Sequence, residues 1–313
     1  MNSQIKKFGS FYIGGRVLAI SGMPAKTVYR NPDFPDLLID PNGEYAVDQA
    51  YVQYYIPASA EQRLPVVLAH GGGQTGSVWE TTPDGREGWL HYFLGHGRAV
   101  YVIDNVERGR AGWCCLPKVW EGEPELRSGK MTWTMFRIGL PDHYEKKIPF
   151  PHQQFPINAF EELLRYNVPR WNTNEKSSTD NLAKLCKKIG PCILIVHSQS
   201  GAFGVNAVEQ AGGSIAGLCL IEPASFGKVD ETSRGLPVLT IYGDYLEEFG
   251  VWKKIYALAL RQKGEFEEKR AHVEWIDLPR KGMIGNSHMM FMDKNHFPIA
   301  DFVQDWIARI EKR

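Results

Sequence analysis

The sequence predicts an α/β protein with a mostly parallel central sheet and helices on both faces. Short apolar runs rich in β-branched residues recur along the chain, as in Ala99–Asp104 and Ile215–Ile221, and helical stretches separate them. Strands that alternate with helices favour parallel pairing through right-handed crossovers. The chain has 313 residues. This length suits one large domain, because about three quarters of its unfolded surface can be buried.

The individual elements follow from local patterns. Gly9–Ile20 is rich in glycine and predicts a pair of hairpin strands, whereas residues 31–43 predict a loop. Further strands are predicted at Ala46–Pro57, Leu64–Ala69, Ala99–Asp104, Cys192–Val196, Ile215–Ile221, Pro237–Tyr242 and His272–Leu278. Helices are predicted over Trp89–Gly97, Ala159–Tyr166, Asn181–Lys188, Ala202–Gln210, Tyr245–Gln262 and Ile299–Ile310.

Residues 113–180 interrupt the alternation of strands and helices. The stretch is rich in Trp, Phe, Pro and Met. We expect residues 9–112 and 181–313 to form the core of a single domain, with 113–180 inserted as a cap over a pocket. A single aromatic side chain is more often simply buried, so this prediction depends on the stretch as a whole.

The composition argues against several classes of partner. Acidic and basic residues balance at 36 each, so neither nucleic acid nor a membrane is expected as a partner. Met1–Ser10 lacks the apolar segment of a signal peptide and no apolar run approaches membrane-spanning length, so we expect a cytoplasmic protein. A homodimer is compatible with the sequence.

Metal and cofactor signals are missing from the sequence. The five cysteines lack zinc-type spacing, and we expect the adjacent Cys114 and Cys115 to be free thiols. Gly212-Gly213 follows a helix and not a strand, so a dinucleotide site is not predicted. We therefore expect neither a metal nor a cofactor.

The segment Cys192–Gly201 carries the strongest functional signal. A buried apolar run ends in Ser198, and a helix-like stretch follows. A serine at a sharp turn between a strand and a helix forms a nucleophile elbow, which exposes its hydroxyl above the edge of the sheet. We therefore predict that Ser198 is a catalytic nucleophile. The turn normally needs small residues two positions before and after the serine, and Val196 departs from that pattern.

Two alternatives to a nucleophilic Ser198 stay open at this stage. Ser200 has small residues on both sides, but its distance from the apolar run places it inside the helix. Ser198 is also placed to cap that helix, as serines commonly do. Capping alone does not explain the acidic residues and histidine that follow.

Ester hydrolysis by a serine needs a base, an acid that orients the base, and donors for the oxyanion. Glu222 and Asp244 end the next two predicted strands, and the sequence leaves both open as the acid. His288 lies in a glycine-containing loop that suits a base. Its main rival, His296, falls at the start of the terminal helix, where we expect exposure to solvent. The N–H of Gln199 and one N–H from residues 71–73 are expected to bind the oxyanion.

These residues lie in blocks that resemble the bacterial esterase 713-like group of α/β hydrolases. The matching blocks span nearly the whole chain and are Asp40–Gly43, His70–Gly71, Thr75–Gly76, Trp79–Arg86, Tyr101–Asp104, Arg108–Arg110, His197–Gly201, Glu222–Pro223 and Gly285–Met290. The resemblance implies an α/β-hydrolase fold and a carboxylic ester hydrolase.

The resemblance also implies specific residues. It selects Glu222 over Asp244 and His288 over His296, so the triad becomes Ser198, His288 and Glu222, and it places the oxyanion donors at Gly72 and Gln199. The chain departs from the group at Gly72-Gly73, where the group carries an adjacent cysteine pair. A disulfide there would stiffen the loop, and two glycines cannot form one.

From these features we expect a serine hydrolase that cleaves an apolar carboxylic ester or lactone of small to medium size through an acyl-enzyme on Ser198. We expect the substrate pocket to be lined by Trp79, Trp113, Phe203, Trp171 and Met289. One alternative keeps the triad but uses it for acyl transfer, or for a lyase or isomerase step on a small metabolite. A binding module without turnover is the less favoured alternative.

Overall fold

The computed structural model describes residues 4–59, 63–116 and 119–312. Eight strands form one sheet in the order β1-β4-β6-β5-β7-β8-β9-β10, and β2 pairs with β3 in a separate two-stranded sheet. The strands are β1 Ile5–Ile20, β2 Lys26–Val28, β3 Leu37–Ile39, β4 Gly43–Pro57, β5 Val66–Ala69, β6 Val100–Asp104, β7 Cys192–His197, β8 Ile215–Ile221, β9 Pro237–Tyr242 and β10 His272–Asp277.

The sheet combines an antiparallel arm with a parallel core. Strands β5 to β10 pair in parallel with one another, in the order β6-β5-β7-β8-β9-β10. Strand β4 pairs antiparallel with both β1 and β6. Every residue of β7 is buried, because helices cover both of its faces. The mostly parallel sheet predicted from the sequence is therefore confirmed, and β7 lies at its centre.

The helices divide between the two faces of the sheet. Their bounds are α1 Trp89–Gly95, α2 Gly129–Met135, α3 Phe160–Leu164, α4 Glu175–Ile189, α5 Ser200–Ala211, α6 Gly250–Glu268 and α7 His296–Ile310. On one face, residues of α1 and α7 pack with Ile195 of the central strand. On the other face, residues of α4 and α5 pack with Leu194 and Val196. Alternate residues of β7 thus serve two separate apolar cores.

The predicted N-terminal hairpin is wrong. Residues 5–20 form one long strand, because pairing with β4 continues on both sides of Gly14 and Gly15. The two glycines adopt φ values of 67° and 82°, but they serve close packing instead of a chain reversal. An added Cβ on Gly14 would lie 1.6 Å from Oδ1 of Asn181, so α4 approaches the strand through this gap.

Several predicted boundaries also move. The predicted loop 31–43 contains β3, and α4 begins at Glu175, before the predicted end of the insert. Helix α5 begins at Ser200, earlier than predicted, whereas α6 runs from Gly250 to Glu268, later than predicted. All five cysteines are unpaired in the structure, and the free thiols expected at Cys114 and Cys115 stay a prediction.

The part of the insert that contains α2 and α3 packs onto the face of the sheet that carries α1 and α7. Trp133, Phe155 and Phe160 are fully buried in the same apolar core as β5 and β6. An antiparallel bridge between Glu125 and Arg170 draws two distant parts of the insert together. The insert therefore shares its apolar core with the sheet, and its role as a cap stays a prediction.

Candidate active site

Ser198 lies in the turn between β7 and α5. Its φ of 53° is left-handed, a conformation that non-glycine residues adopt at a cost of about 1–3 kcal/mol. The surrounding backbone holds it there. Its N–H donates to the carbonyl oxygen of Ile221 at 3.1 Å, and its own carbonyl accepts from the N–H groups of Gly201 and Ala224 at 3.0 and 3.1 Å. The strained serine at the end of a central strand is the geometry of a nucleophile elbow.

The elbow tolerates Val196 because the facing helix supplies the missing space. An added Cβ on Gly204 of α5 would lie 3.0 and 3.1 Å from the two methyl carbons of Val196. Gly201 serves the same turn, since an added Cβ there would lie 2.8 Å from the carbonyl oxygen of Ser225. The small residues that this turn requires are therefore Gly201 and Gly204 of α5, and not the residue two positions before Ser198.

Ser198, His288 and Glu222 form a continuous hydrogen-bonded chain. Nε2 of His288 lies 3.0 Å from Oγ of Ser198, and its Nδ1 lies 3.1 Å from Oε2 of Glu222. Nδ1 donates to the carboxylate, so Nε2 is free to accept the serine proton. Ser198 follows β7, Glu222 follows β8, and His288 lies in the loop after β10.

Burial sets the charge state of the histidine. Desolvation lowers the pKa of His288 to about 4, although its hydrogen bond to Glu222 works in the opposite direction. Desolvation raises the pKa of Glu222, but the charge of Arg137 and the hydrogen bond from His288 outweigh it and leave that pKa below its usual value. At neutral pH the pair therefore consists of a neutral imidazole and an ionised carboxylate.

Arg137 neutralises the buried carboxylate of Glu222. Its Nη2 lies 2.5 Å from Oε1 of Glu222, and both side chains are fully buried. The N–H of Gly243 also donates to Oε1 at 2.5 Å. The guanidinium lies over the ring of Trp252, with Cζ 4.4 Å from the ring centre. Glu222 itself has a left-handed φ of 49°, so the acid occupies a second strained turn.

Two aspartates hold the loop that carries His288. Asp293 accepts hydrogen bonds from the N–H of Ser287 at 2.8 Å, from its hydroxyl at 2.7 Å, and from the amide of Asn286 at 2.9 Å. Asp244 accepts from the N–H of Gly285 at 2.9 Å. Asp244, the rival candidate for the acid, is therefore bonded to the backbone of the loop and not to the imidazole.

The glycine loop after β5 packs directly against the serine. An added Cβ on Gly71 would lie 2.6 Å from Nδ1 of His197 and 3.0 Å from Cβ of Ser198, so the approach requires glycine. Nδ1 of His70 donates to the carbonyl of Gly71 at 2.8 Å, and its Nε2 accepts from the N–H of Asn105 at 3.1 Å. These bonds fix the start of the loop.

One backbone N–H in this loop and one directly after Ser198 have no hydrogen-bond acceptor among the described residues. Within residues 4–59, 63–116 and 119–312, the N–H groups of Gly72 and Gln199 donate no hydrogen bond. The side-chain oxygen of Gln199 lies 2.7 Å from the position of a Cβ on Gly72, so the two residues are in contact range. The pair is available to bind an oxygen that becomes negative during a reaction.

Ser200 and the remaining central histidines have structural partners. The hydroxyl of Ser200 donates to the carbonyl of His70 at 2.5 Å, and Nε2 of His197 donates to the carbonyl of His288 at 3.0 Å. His296 is buried, with 3% of its surface exposed, which contradicts the predicted exposure. The indole N–H of Trp89 donates to the carbonyl of His296, and the imidazole of His296 packs against the ring of Phe297 at 4.3 Å between ring centres, so packing explains the burial.

Comparison with solved structures finds a bacterial esterase with the same fold along its whole length. The TM-score is 0.83 at 31% sequence identity, and the match covers 99% of this chain and 98% of the esterase. The chain belongs to the bacterial esterase 713-like family of α/β hydrolases. It is a carboxylic ester hydrolase.

A curated protein supports this assignment from sequence alone. The probable secreted lipase phiG of a fungal species is 27% identical over 332 aligned positions, which cover 85% of this chain and 88% of the lipase. No protein-family profile matches the chain.

Within the described residues, no helix is both long and apolar enough to cross a bilayer. Because the fungal relative is named as secreted, the cytoplasmic location stays a prediction.

A cavity of about 250 Å³ opens above Ser198. One part of its wall is apolar and includes Met135, Phe136 and Trp252. The ring of Trp252 lies 4.6 Å from that of His288, centre to centre, and so shields the imidazole. The other part of the wall is charged and contains two arginines and a glutamate, which are Arg127, Arg170 and Glu175.

The residues predicted to line the pocket lie elsewhere. Trp79 and Phe203 are buried in opposite cores of the sheet, and the ring of Trp79 packs against that of Phe291 at 4.1 Å between ring centres. Trp113 and Trp171 line a separate cavity. Met289 is fully buried and accepts a hydrogen bond from Gln74. Trp79, Phe203 and Met289 therefore fill apolar cores, and Trp113 and Trp171 line another cavity, so none of the five lines the cavity above Ser198.

The sequence-based reasoning missed the arginines of the site. Arg137 stands between Phe136 and Ile138 in an apolar stretch, and a charged residue so placed is rarely buried without a partner. That local signal could have marked it as functional. Arg127 and Arg170 lie in polar surroundings typical of a surface, and only the folded insert brings them to the cavity.

Proposed function

We propose that the protein is a serine hydrolase that cleaves a small carboxylic ester through an acyl-enzyme on Ser198. The observation that carries the proposal is the hydrogen-bonded chain from Oγ of Ser198 through His288 to Glu222, at the floor of a cavity. The relatives, an esterase and a lipase, support ester cleavage as the reaction.

Acylation follows from the positions of the proton donors and acceptors. His288 is neutral at pH 7, so its Nε2 takes the proton of Ser198 as Oγ attacks the ester carbonyl. The carbonyl oxygen becomes negative and accepts hydrogen bonds from the N–H groups of Gly72 and Gln199. Each such donor typically contributes about 3 kcal/mol in the transition state. The ionised Glu222 stabilises the imidazolium, which then protonates the departing alcohol.

Deacylation reverses the roles of the same groups. A water molecule gives its proton to Nε2 of His288 as its oxygen attacks the acyl carbonyl, and the second oxyanion uses the same two N–H groups. Collapse of this intermediate returns the proton to Oγ of Ser198 and releases the carboxylic acid. A lactone would pass through the same steps, with the alcohol and acid released as one molecule.

The cavity favours short substrates. Its volume of about 250 Å³ falls below the range of roughly 300–1,000 Å³ typical of sites for drug-sized ligands. Rates should therefore fall as the acyl chain of a p-nitrophenyl ester is lengthened beyond a few carbons.

The test compares two serines in one turn. We expect Ser198→Ala to lower kcat for p-nitrophenyl acetate by at least about 10³-fold, whereas Ser200→Ala retains activity within roughly tenfold. Both variants remove one buried hydroxyl, so Ser200→Ala is the matched control for effects on folding. Full activity in Ser198→Ala would contradict the proposal.

A further inference from the structure

The glycine pair in the oxyanion loop makes room for two arginines. An added Cβ on Gly72 would lie 2.3 Å from Nη1 of Arg170, and one on Gly73 would lie 2.8 Å from Nη1 of Arg127. Either methyl group would displace a guanidinium from the loop. Because the same loop borders Ser198, the glycines allow two cationic groups to line the cavity that contains the Ser198 hydroxyl.

Arg127 is held in place without an acidic partner. Its Nη1 donates to the carbonyl of Gly72 at 2.5 Å, and its Cζ lies 5.6 Å from the centre of the Phe136 ring. Within the described residues, no carboxylate lies in ion-pairing range of Arg127. Desolvation and the neighbouring arginines lower the pKa of Arg127 to about 10, so it is still a cation at neutral pH.

Among the residues that the structure describes, Arg170 forms an ion pair only with an exposed carboxylate. Its Nη2 lies 3.0 Å from Oε2 of Glu125, whose side chain is 54% exposed, so the pair contributes little and leaves other donors of Arg170 free. Arg108, behind them, is neutralised by Glu107 at 2.7 Å. Glu175, the remaining charged residue of the wall, is exposed at the start of α4.

These charges leave an uncompensated cation at the wall of the catalytic cavity. Guanidinium groups bind carboxylates with paired, directional hydrogen bonds. We propose that Arg127 and Arg170 bind a carboxylate of the substrate, so that the enzyme acts on short esters that carry a second, ionised carboxyl group. The proposal rests on the proposed function, because it assigns the substrate class of the same site.

The first test compares charged and neutral esters of matched size by pH-stat titration. One pair, methyl hydrogen succinate and methyl butyrate, places the carboxylate on the acyl side. The other pair, 3-acetoxypropanoate and butyl acetate, places it on the alcohol side. We expect kcat/KM to favour the charged ester by at least about tenfold in one pair, as a charge-assisted hydrogen bond implies. A ratio of one or less in both pairs would overturn the proposal.

Variants show whether the arginines cause the preference. Arg170→Gln and Arg127→Gln should each lower the charged-to-neutral ratio by about tenfold, mainly through KM. Arg127→Gln should also slow both esters, because Arg127 holds the carbonyl of Gly72. Arg165→Gln removes an exposed arginine outside the cavity and should leave the ratio unchanged. An unchanged ratio in both cavity variants would refute the assignment.

A binding measurement separates failure of this inference from failure of the proposed function. Calorimetry with succinamate and butyramide, the amide counterparts of methyl hydrogen succinate and methyl butyrate, on the Ser198→Ala protein involves no ester cleavage. Succinamate binding that is at least tenfold tighter than butyramide binding, and that is weakened by Arg170→Gln, supports the carboxylate site whether or not Ser198 is the nucleophile. Equal binding of the charged and the neutral amide, with ester cleavage still dependent on Ser198, rejects the carboxylate site and retains the proposed function.

Discussion

Replacement of Arg137 by methionine should destabilise the protein and should also shift the pH dependence of kcat/KM. The change leaves the carboxylate of Glu222 buried without a countercharge, since Arg137 and Glu222 are both fully buried and 2.5 Å apart. Breaking such a pair from one side costs about 3–5 kcal/mol. With an unfolding entropy of about 2.1 cal/mol/K per residue, the melting temperature should fall by about 5–8 °C.

The pH dependence of the effect has a defined sign. In the folded protein Arg137 helps to hold the pKa of Glu222 below its usual value. The stabilisation is therefore present above the unfolded pKa, near 4.3, and is lost as pH falls through the folded pKa. The difference in melting temperature between wild type and Arg137→Met should be largest near neutral pH and should narrow below about pH 4.

The catalytic effect follows from the same charge. Loss of the opposite charge of Arg137 should raise the pKa of Glu222, because that charge favours the ionised carboxylate. Loss of Arg137 also removes a charge that lowers the pKa of His288. Both changes should move the acid limb of kcat/KM to higher pH. The assay is hydrolysis of p-nitrophenyl acetate between pH 3 and 8, read at the isosbestic wavelength of nitrophenol, beside thermal unfolding followed by circular dichroism.

Arg98→Met provides a matched control. Arg98 is also fully buried and pairs with Glu311 at 2.6 Å, far along the chain from the catalytic residues. This variant should lose stability and keep the pH profile of the wild type. If Arg98→Met and Arg137→Met gave the same pH profile, the assigned role of Arg137 would be refuted.

Three further predictions follow from the site. The kcat/KM of the wild type for a neutral ester should rise through about pH 4 and then level off, because burial lowers the pKa of His288 to about 4. A profile of kcat/KM against pH whose acid limb lies near pH 6.5 would contradict this. Gly71→Ala should lower kcat for p-nitrophenyl acetate by at least about 10²-fold, since its Cβ would lie 2.6 Å from His197 and displace the oxyanion loop; unchanged kcat would show that the loop adapts. Gly204→Ala should lower the free energy of unfolding in urea by about 1–3 kcal/mol, because its Cβ would crowd Val196. Adding Val196→Ala to the same chain should recover part of that loss. Strictly additive effects of the two substitutions would argue against the contact.

The sequence predicts best those features that depend on neighbouring residues. The buried run of β7 and the turn at Ser198 follow one another in the chain, so the elbow could be located without a structure. The parallel core follows from the alternation of strands and helices. The choice between Glu222 and Asp244 depended on the family resemblance, because both residues end a strand and pattern alone does not separate them.

The features that the sequence did not predict depend on packing between distant segments. Trp79 and Phe203 are large apolar residues of the kind that often line pockets, yet neighbouring elements bury them in the two cores. The exposure predicted for His296 failed because α1 covers the start of α7. Arg127 and Arg170 reach the cavity only because of the way the insert folds, and the spacing of apolar residues along the sequence does not predict that fold.

The most direct test of the central claim is to locate a covalent adduct. A fluorophosphonate should label the wild type once, and peptide mapping by mass spectrometry should place the label on Ser198, with activity lost in proportion to labelling. Ser198→Ala should take up no label, whereas Ser200→Ala should still be labelled on Ser198. A label on another residue, or full activity in fully labelled protein, would contradict Ser198 as the nucleophile.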